Sequence, residues 1–367
     1  MEETSVTPIQ RNSRAKALGF IALAIVGTLV ASYAVFNNLP AQAELVTLEY
    51  DSDSIELGDL YKRWKTEYGH SFDSQEDAKR LEIFRNTDKK IREHNAGNHS
   101  YTMGHNGFSH LTDEEFTAIY YSAGFQHKKA LDRHSNNTTP RILASPPTSV
   151  DWRSKGAVTP VKSLAGCAAS WAFSATGALE SYAFSKTKRL PNLSEQQLID
   201  CAGAKYGNHG CLGGSMDGAW EYVAEIKGLQ SGSTYPYNRV AGRCKAVYAL
   251  DALKVPITGT KYVAANNSAA MMEAIALQPV SAFISFETLN RYRSGIIGTN
   301  ARCGPEANHA VLIVGYNQAA SPEAPNGYYI VKNSWGDWWG EKGYCRIAIT
   351  GNDAGVCGLQ QFGMYPY

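Results

Sequence analysis

Residues 76–95 place Arg80, Phe84, Thr87 and Ile91 at steps of four, three and four, which is one face of a helix. Because that face mixes apolar and polar groups, the helix is expected to pack against something other than lipid or water. Residues 168–182 carry Trp171, Ala175, Ala178 and Tyr182 on one stripe and predict a buried helix. Leu193-Ser194-Glu195-Gln196-Gln197 offers Ser194 as an N-cap with Gln197 three residues on, a capping box that opens a second helix. Beyond about residue 255 the period changes. Segments 280–286, 309–316, 328–332 and 344–349 are short, rich in Val, Ile and Tyr, and bounded by Gly, Pro or Asn, which reads as strands. A helical half followed by a β half predicts an α+β fold with a cleft between two lobes.

Two stretches fall outside this pattern. Residues 17–36 are twenty residues without a charge, preceded by Arg11, Arg14 and Lys16 and followed by the small-x-small run ending at Ala43. This segment predicts a signal peptide over 1–43, either cleaved or kept as a membrane anchor. Residues 126–149 are polar, with three prolines, and read as a linker exposed to proteolysis between a unit at 44–125 and one at 150–367. The first part, residues 44–145, holds 13 basic and 17 acidic groups; residues 146–367 hold 19 and 15, opposite signs that suit two docking parts. Over the whole chain the net charge is +1, which provides no field for nucleic acid. Membrane contact is expected only through the N-terminal segment.

Seven cysteines lie in the last 201 residues, none in a Cys-x-x-Cys spacing, so neither a metal site nor a bound cofactor is expected. A secretory segment places them where disulfides persist, and sequons at Asn98, Asn136, Asn137, Asn192 and Asn266 agree with that route. The odd count suggests three bridges and one working thiol. The candidate catalytic groups lie elsewhere. His309 starts one predicted strand, Asn333 ends another, and Ser170 opens the buried helix. A nucleophile at a helix N-terminus gains from the exposed N–H groups there, and nucleophile, base and base-orienting group form the minimal hydrolase set. Taken alone, His309 reads equally as a structural histidine.

From residue 55 on, the chain resembles papain-type peptidases of the cathepsin L-like branch. The blocks that carry the resemblance are Val150-Asp151-Trp152-Arg153, Trp171-Ala172-Phe173-Ser174, Leu193 to Gln197, Gly210-Cys211-Leu212-Gly213-Gly214, Asn308-His309-Ala310-Val311 and Lys332-Asn333-Ser334-Trp335-Gly336, all in family order. The first unit resembles the family's inhibitory pro-domain through Glu76, Arg80, Phe84, Ile91, Asn95, Gly104, Asn106 and Phe108. Thr87 stands where that motif has Asn, and His110 where it has Asp, the residue thought to report acidification. The resemblance implies a two-lobed fold with the pro-domain as its own partner, and disulfides Cys167–Cys211, Cys201–Cys244 and Cys303–Cys357. It leaves Cys345 as a buried inert thiol. The cleft would hold a peptide or protein ligand through Gly213 and Gly214, with Ser215, Met216 and Ala310 at an apolar second subsite and Trp335 shielding the His309–Asn333 pair. A lysosome-like compartment or the extracellular space is implied for such a protein.

At the nucleophile the chain departs from its family. The family pattern Gln-Gly-x-Cys-Gly-Ser-Cys-Trp is here Leu164-Ala165-Gly166-Cys167-Ala168-Ala169-Ser170-Trp171. Serine replaces the catalytic cysteine and Leu164 replaces the glutamine that supplies an oxyanion donor; Ala168 and Ala169 differ too. Three readings follow from Ser170, His309 and Asn333. They are an impaired or inactive homologue that binds peptides, a slow serine-type hydrolase, and a templating protein similar to the silicateins. Silicateins, however, keep the glutamine.

Overall fold

The computed structural model describes residues 52–120, 146–245, 257–285, 289–304 and 307–367. The expected signal segment, the linker up to residue 145 and the sequons at Asn136 and Asn137 lie outside the described residues. Among the described residues no helix is long and apolar enough to cross a membrane. Ile55–Tyr367 forms one compact unit.

The N-terminal part is helical: α1 (Ser52–Tyr68), α2 (Ser74–Ala96) and α3 (Asp113–Tyr120). Asp73 caps α2, its carboxylate accepting from the N–H groups of Gln75 and Glu76. Phe84, Thr87 and Ile91 of the predicted face are buried, and Arg80 bonds Glu76 one turn back in α2 and reaches out to Glu115 and the His110 carbonyl. A small core forms where Leu57, Tyr61 and Trp64 of α1 meet Phe84. Between α2 and α3 runs strand β1 (Tyr101–Met103).

The larger part begins with β2 (Ser149–Asp151), followed by α4 (Ser170–Thr187), α5 (Glu195–Cys201) and α6 (Met216–Ile226). After these come β3 (Thr260–Tyr262), α7 (Ser268–Leu277), β4 (Val280–Ile284), β5 (Tyr292–Ile297), β6 (His309–Asn317), β7 (Tyr328–Lys332), β8 (Tyr344–Ala348) and β9 (Met364–Pro366). The four expected strands are β4, β6, β7 and β8. The strands missed by periodicity are three to six residues long, and α7 interrupts the β half as a helix that the sequence reading did not anticipate. The sheet runs β1-β5-β8-β7-β6-β4-β9-β3, with β2 also pairing β6. β5 and β8 are parallel; the other pairs are antiparallel. The helical half and the β half together make the expected α+β arrangement.

Strand β6 is buried from His309 to Tyr316, because β4 and β7 pair with its edges and α4 covers a face. Helix α4 is buried far beyond its predicted stripe, from Ser170 through Ser181. Ser194 caps α5 as expected, accepting from the Gln197 N–H at 3.0 Å. The reciprocal half of the capping box does not form. The Gln197 side chain turns instead to the Tyr222 hydroxyl and the Gln230 N–H, and the Ser194 N–H finds the Gln230 carbonyl. The disulfides Cys167–Cys211, Cys201–Cys244 and Cys303–Cys357 are closed, and Cys345 on β8 is a buried thiol. Burial raises the pKa of that thiol, so it is unsuited to nucleophilic chemistry.

Phe84 is fully buried, stacks on His105, and meets the Tyr61 ring edge-on and the Trp64 ring at a tilt. Phe84→Ala is expected to destabilise the N-terminal part by about 3–5 kcal/mol. Urea unfolding followed by fluorescence should show that part melting earlier while the larger part keeps its midpoint.

Candidate active site

The site forms where the N-terminus of α4 meets the start of β6. Ser170 is the first residue of α4, so the first N–H groups of the helix have no intrahelical acceptor beside its hydroxyl. Its Oγ accepts a hydrogen bond from the Ala310 N–H at 3.1 Å, which ties it to the residue after His309. His309 opens β6 opposite Ile284 of β4, and Asn333 follows the last residue of β7. The His309 Nε2 lies 2.8 Å from Asn333 Oδ1, and the Ser334 N–H donates to the same Oδ1 at 2.7 Å. That second donor makes Oδ1 an acceptor, so Nε2 carries the proton and Nδ1 is the basic nitrogen.

Ser170, His309 and Asn333 are all buried. Desolvation pushes the His309 pKa down to about 4, with the Asn333 bond acting in the opposite direction. The imidazole is therefore neutral across the physiological range. Trp335 packs on His309 with ring centroids 4.8 Å apart. On its other side Trp335 meets Phe108 and Phe116 of the N-terminal part edge-on, both at 5.4 Å, with Tyr120 at 6.2 Å. These three rings form an aromatic lid that no periodicity revealed.

Leu164 is fully buried, donates its N–H to the Ser334 carbonyl and accepts from the Tyr237 hydroxyl. It brings no side-chain donor to the site. Ala165 next to it has φ +39, a left-handed conformation that disfavours a side chain.

Gly213 and Gly214 are buried. A Cβ at Gly214 would meet Asn208 Oδ1 at 2.4 Å and Trp171 at 2.9 Å, so that glycine is required by packing inside the protein. Ser215 donates its hydroxyl to Asp217, while Met216 and Ala310 are buried.

Beneath the site lies a charge cluster that sequence reasoning missed. Lys162 bonds Glu180 at 2.9 Å and Glu195 at 2.6 Å, and Thr159 and Thr176 donate to the same carboxylates. Lys332, next to Asn333, donates to Thr159 Oγ1 at 3.0 Å. Burial lowers its pKa to about 8 despite Glu180 nearby. The pKa of Lys162 is raised, since its two carboxylates outweigh burial. A cavity of about 20 Å³, room for a single water, separates this cluster from Asn333 and Ser334. The available signal was a charged residue inside each apolar run: Glu180 in α4, Lys332 in β7.

Residues 146–367 match the papain family cysteine protease domain, and residues 61–116 the cathepsin propeptide inhibitor domain (I29). The chain belongs to the papain family. It is 36% identical over 356 residues to the senescence-specific cysteine protease SAG39 of Oryza sativa subsp. japonica, covering 96% of this chain and 98% of that protein. Procathepsin L of Mus musculus is 36% identical over 312 residues, covering 83% and 91%. Among solved structures, a recombinant stem bromelain precursor superposes with a TM-score of 0.73 at 35% identity, covering 85% of this chain and 98% of that one. This is a papain-family zymogen: the N-terminal part is its pro-domain, and the lid on Trp335 belongs to that pro-domain.

Lys162→Met would leave Glu180 and Glu195 buried without their cation. The expected loss is about 3–5 kcal/mol of stability, read as a lower denaturant midpoint with an unchanged slope.

Proposed function

We propose that this papain-family homologue binds peptide or protein segments in its cleft and turns them over poorly or not at all. The observation that carries this reading is Leu164. At the position of the family's oxyanion glutamine stands a leucine, whose side chain has no donor and whose backbone N–H is spent on the Ser334 carbonyl. Loss of one such donor typically costs about 10²–10³ in rate. Ser170 adds to the deficit. A cysteine can rest as a thiolate beside an imidazolium, whereas a serine hydroxyl stays protonated and needs a base throughout the attack. A pocket shaped for sulfur also places the smaller oxygen poorly.

A second reading, a slow serine-type hydrolase, draws support from the same residues. His309 is neutral with Nε2 held by Asn333, leaving Nδ1 as the base; Ser170 would attack a carbonyl as Nδ1 takes its proton, and the backbone N–H of residue 170 would hold the oxyanion. A templating role similar to that of the silicateins would use the fold without this chemistry. The disulfides and the N-terminal segment support a secretory route for all three.

The test compares the protein freed of its pro-segment with Ser170→Ala and with the double change Leu164→Gln, Ser170→Cys, on peptides with an apolar second-site residue. The parent is expected to match Ser170→Ala, and the double change to gain at least about 100-fold. Parent turnover that disappears in Ser170→Ala would instead establish the hydrolase. Its rate should then fall on the acid side as His309 takes up a proton and ceases to be a base. Calorimetry with uncut peptide separates a binding protein from a purely structural one.

A further inference from the structure

An ion pair joins the pro-domain to the residue before β5. Arg291 is buried there, and its Nη2 donates to Asp113 Oδ1 of α3 at 2.7 Å. Asp113 is a divided partner, because its other oxygen takes Lys90 at 2.6 Å. The guanidinium is only partly used as well. Nη1 donates to Asn290 Oδ1 at 3.2 Å, while Nε is buried and bonds nothing among the described residues. Nε and Nη2 form one edge of the guanidinium plane, an edge that can take both oxygens of a carboxylate in a two-bond fork. Asp113 fills half of that fork, and a buried donor left without an acceptor is destabilising.

The backbone around Arg291 is set for an extended segment. Its carbonyl accepts from the Gly104 N–H at 2.9 Å, and the Ile296 N–H donates to the Ser100 carbonyl at 3.0 Å. Gly295 lets the two strands approach: at φ +102, a Cβ there would come to 2.6 Å from the Ser100 carbonyl oxygen. Each of these partners belongs to the pro-domain. So does Asp113, the one carboxylate that pairs Arg291 among the described residues. Arg293, exposed and lying against Gly104, adds a second cation to the same stretch. Residues 146–367 hold 19 basic and 15 acidic groups, so no general negative field opposes an anion there. Two strands, β8 and β7, separate β5 from β6 and His309.

We propose that residues 290–296, once the pro-domain has left, dock an extended acidic segment of a second protein at a site separate from the cleft. The backbone of that segment would take the bonds now made by Ser100 and Gly104. One of its Asp or Glu side chains would close on Nε and Nη2 of Arg291 together. That carboxylate makes two bonds where Asp113 makes one, so an acidic segment replaces the pro-domain contact with a fuller one. Selectivity comes from the fork, since backbone pairing alone does not distinguish side chains. The site is independent of whether Ser170 turns over substrate.

The full chain with one cleavage sequence added within residues 126–145 tests this. Uncut, its pro-domain stays tied beside β5; cut, the pro-domain is held without a covalent link and can be displaced. The probes are fluorescent ten-residue peptides of alternating Thr and Val with two central Asp, Asn or Lys residues, and binding is read as anisotropy. The cut chain should bind the Asp peptide at least about tenfold more tightly than the Asn peptide and the Lys peptide least, and the uncut chain should bind none of them. Arg291→Gln should abolish the preference for Asp over Asn, and Arg291→Lys, which keeps the charge without the fork, should retain only part of it. Lys205→Gln, which removes an exposed cation paired with Glu225, should leave the preference in place. Asp113→Asn should tighten binding of the Asp peptide to the cut chain, because it loosens the competitor. Equal binding of the Asp and Asn peptides overturns the proposal, as does failure of the cut chain to bind any of them. So does a folded Arg291→Gln or Arg291→Lys protein with the parent's full preference, or an uncut chain that binds the Asp peptide as tightly as the cut one.

Discussion

The seam between α4 and the central strands determines where everything else lies. It is polar as well as apolar: the Ser174 hydroxyl donates to the Val311 carbonyl at 2.7 Å, and the Ser281 hydroxyl of β4 reaches the Ser174 carbonyl at 3.1 Å. These groups are buried, and each would cost about 1–3 kcal/mol if left without a partner. A turn of the helix about its axis would orphan them together. The same seam ends at Ser170 and Ala310. The placement of Ser170 is therefore set by packing requirements that do not depend on its chemistry. This explains how serine, leucine and alanine can occupy the surrounding loop without disturbing the His309–Asn333 pair.

The charge cluster under β7 works in the same direction. Glu180 extends from α4, Glu195 from α5 and Lys162 from the loop before α4, so one bonded group ties three segments together. A buried cluster of this kind contributes little net stability compared with an apolar one, yet it is strongly directional. It specifies how the helices meet the strands close to Asn333. The pro-domain then rests its aromatic lid on Trp335, the residue that covers His309. The lid thus reaches His309 through a single indole.

Much of this was legible in the chain. The helix face through Phe84 and Ile91 and the buried helix at Trp171 carry a helical period, and β4, β6, β7 and β8 show as short runs rich in Val, Ile and Tyr between Gly, Pro or Asn. Ser170, His309 and Asn333 stand out because they lie at element ends and in blocks that resemble the family's, and the fold places them at the start of α4, the start of β6 and directly after β7. The short strands β1, β3 and β9 are three residues each, too few for any period to register. The Gln197 side chain was misjudged because Tyr222 and Gln230 arrive from sequence positions far downstream, and local pattern does not anticipate tertiary partners. The lid and the charge cluster were missed for the same reason.

Strand β1 also covers one margin of the sheet. It belongs to the pro-domain yet forms the outermost strand of the sheet, beside β5. Once the pro-domain leaves, the row of N–H and C=O groups along β5 faces solvent unpaired. The mature protein would then present a strand margin open to annealing with any extended chain, including another copy of itself. Pro-domain removal would thus affect colloidal behaviour as well as access to the cleft.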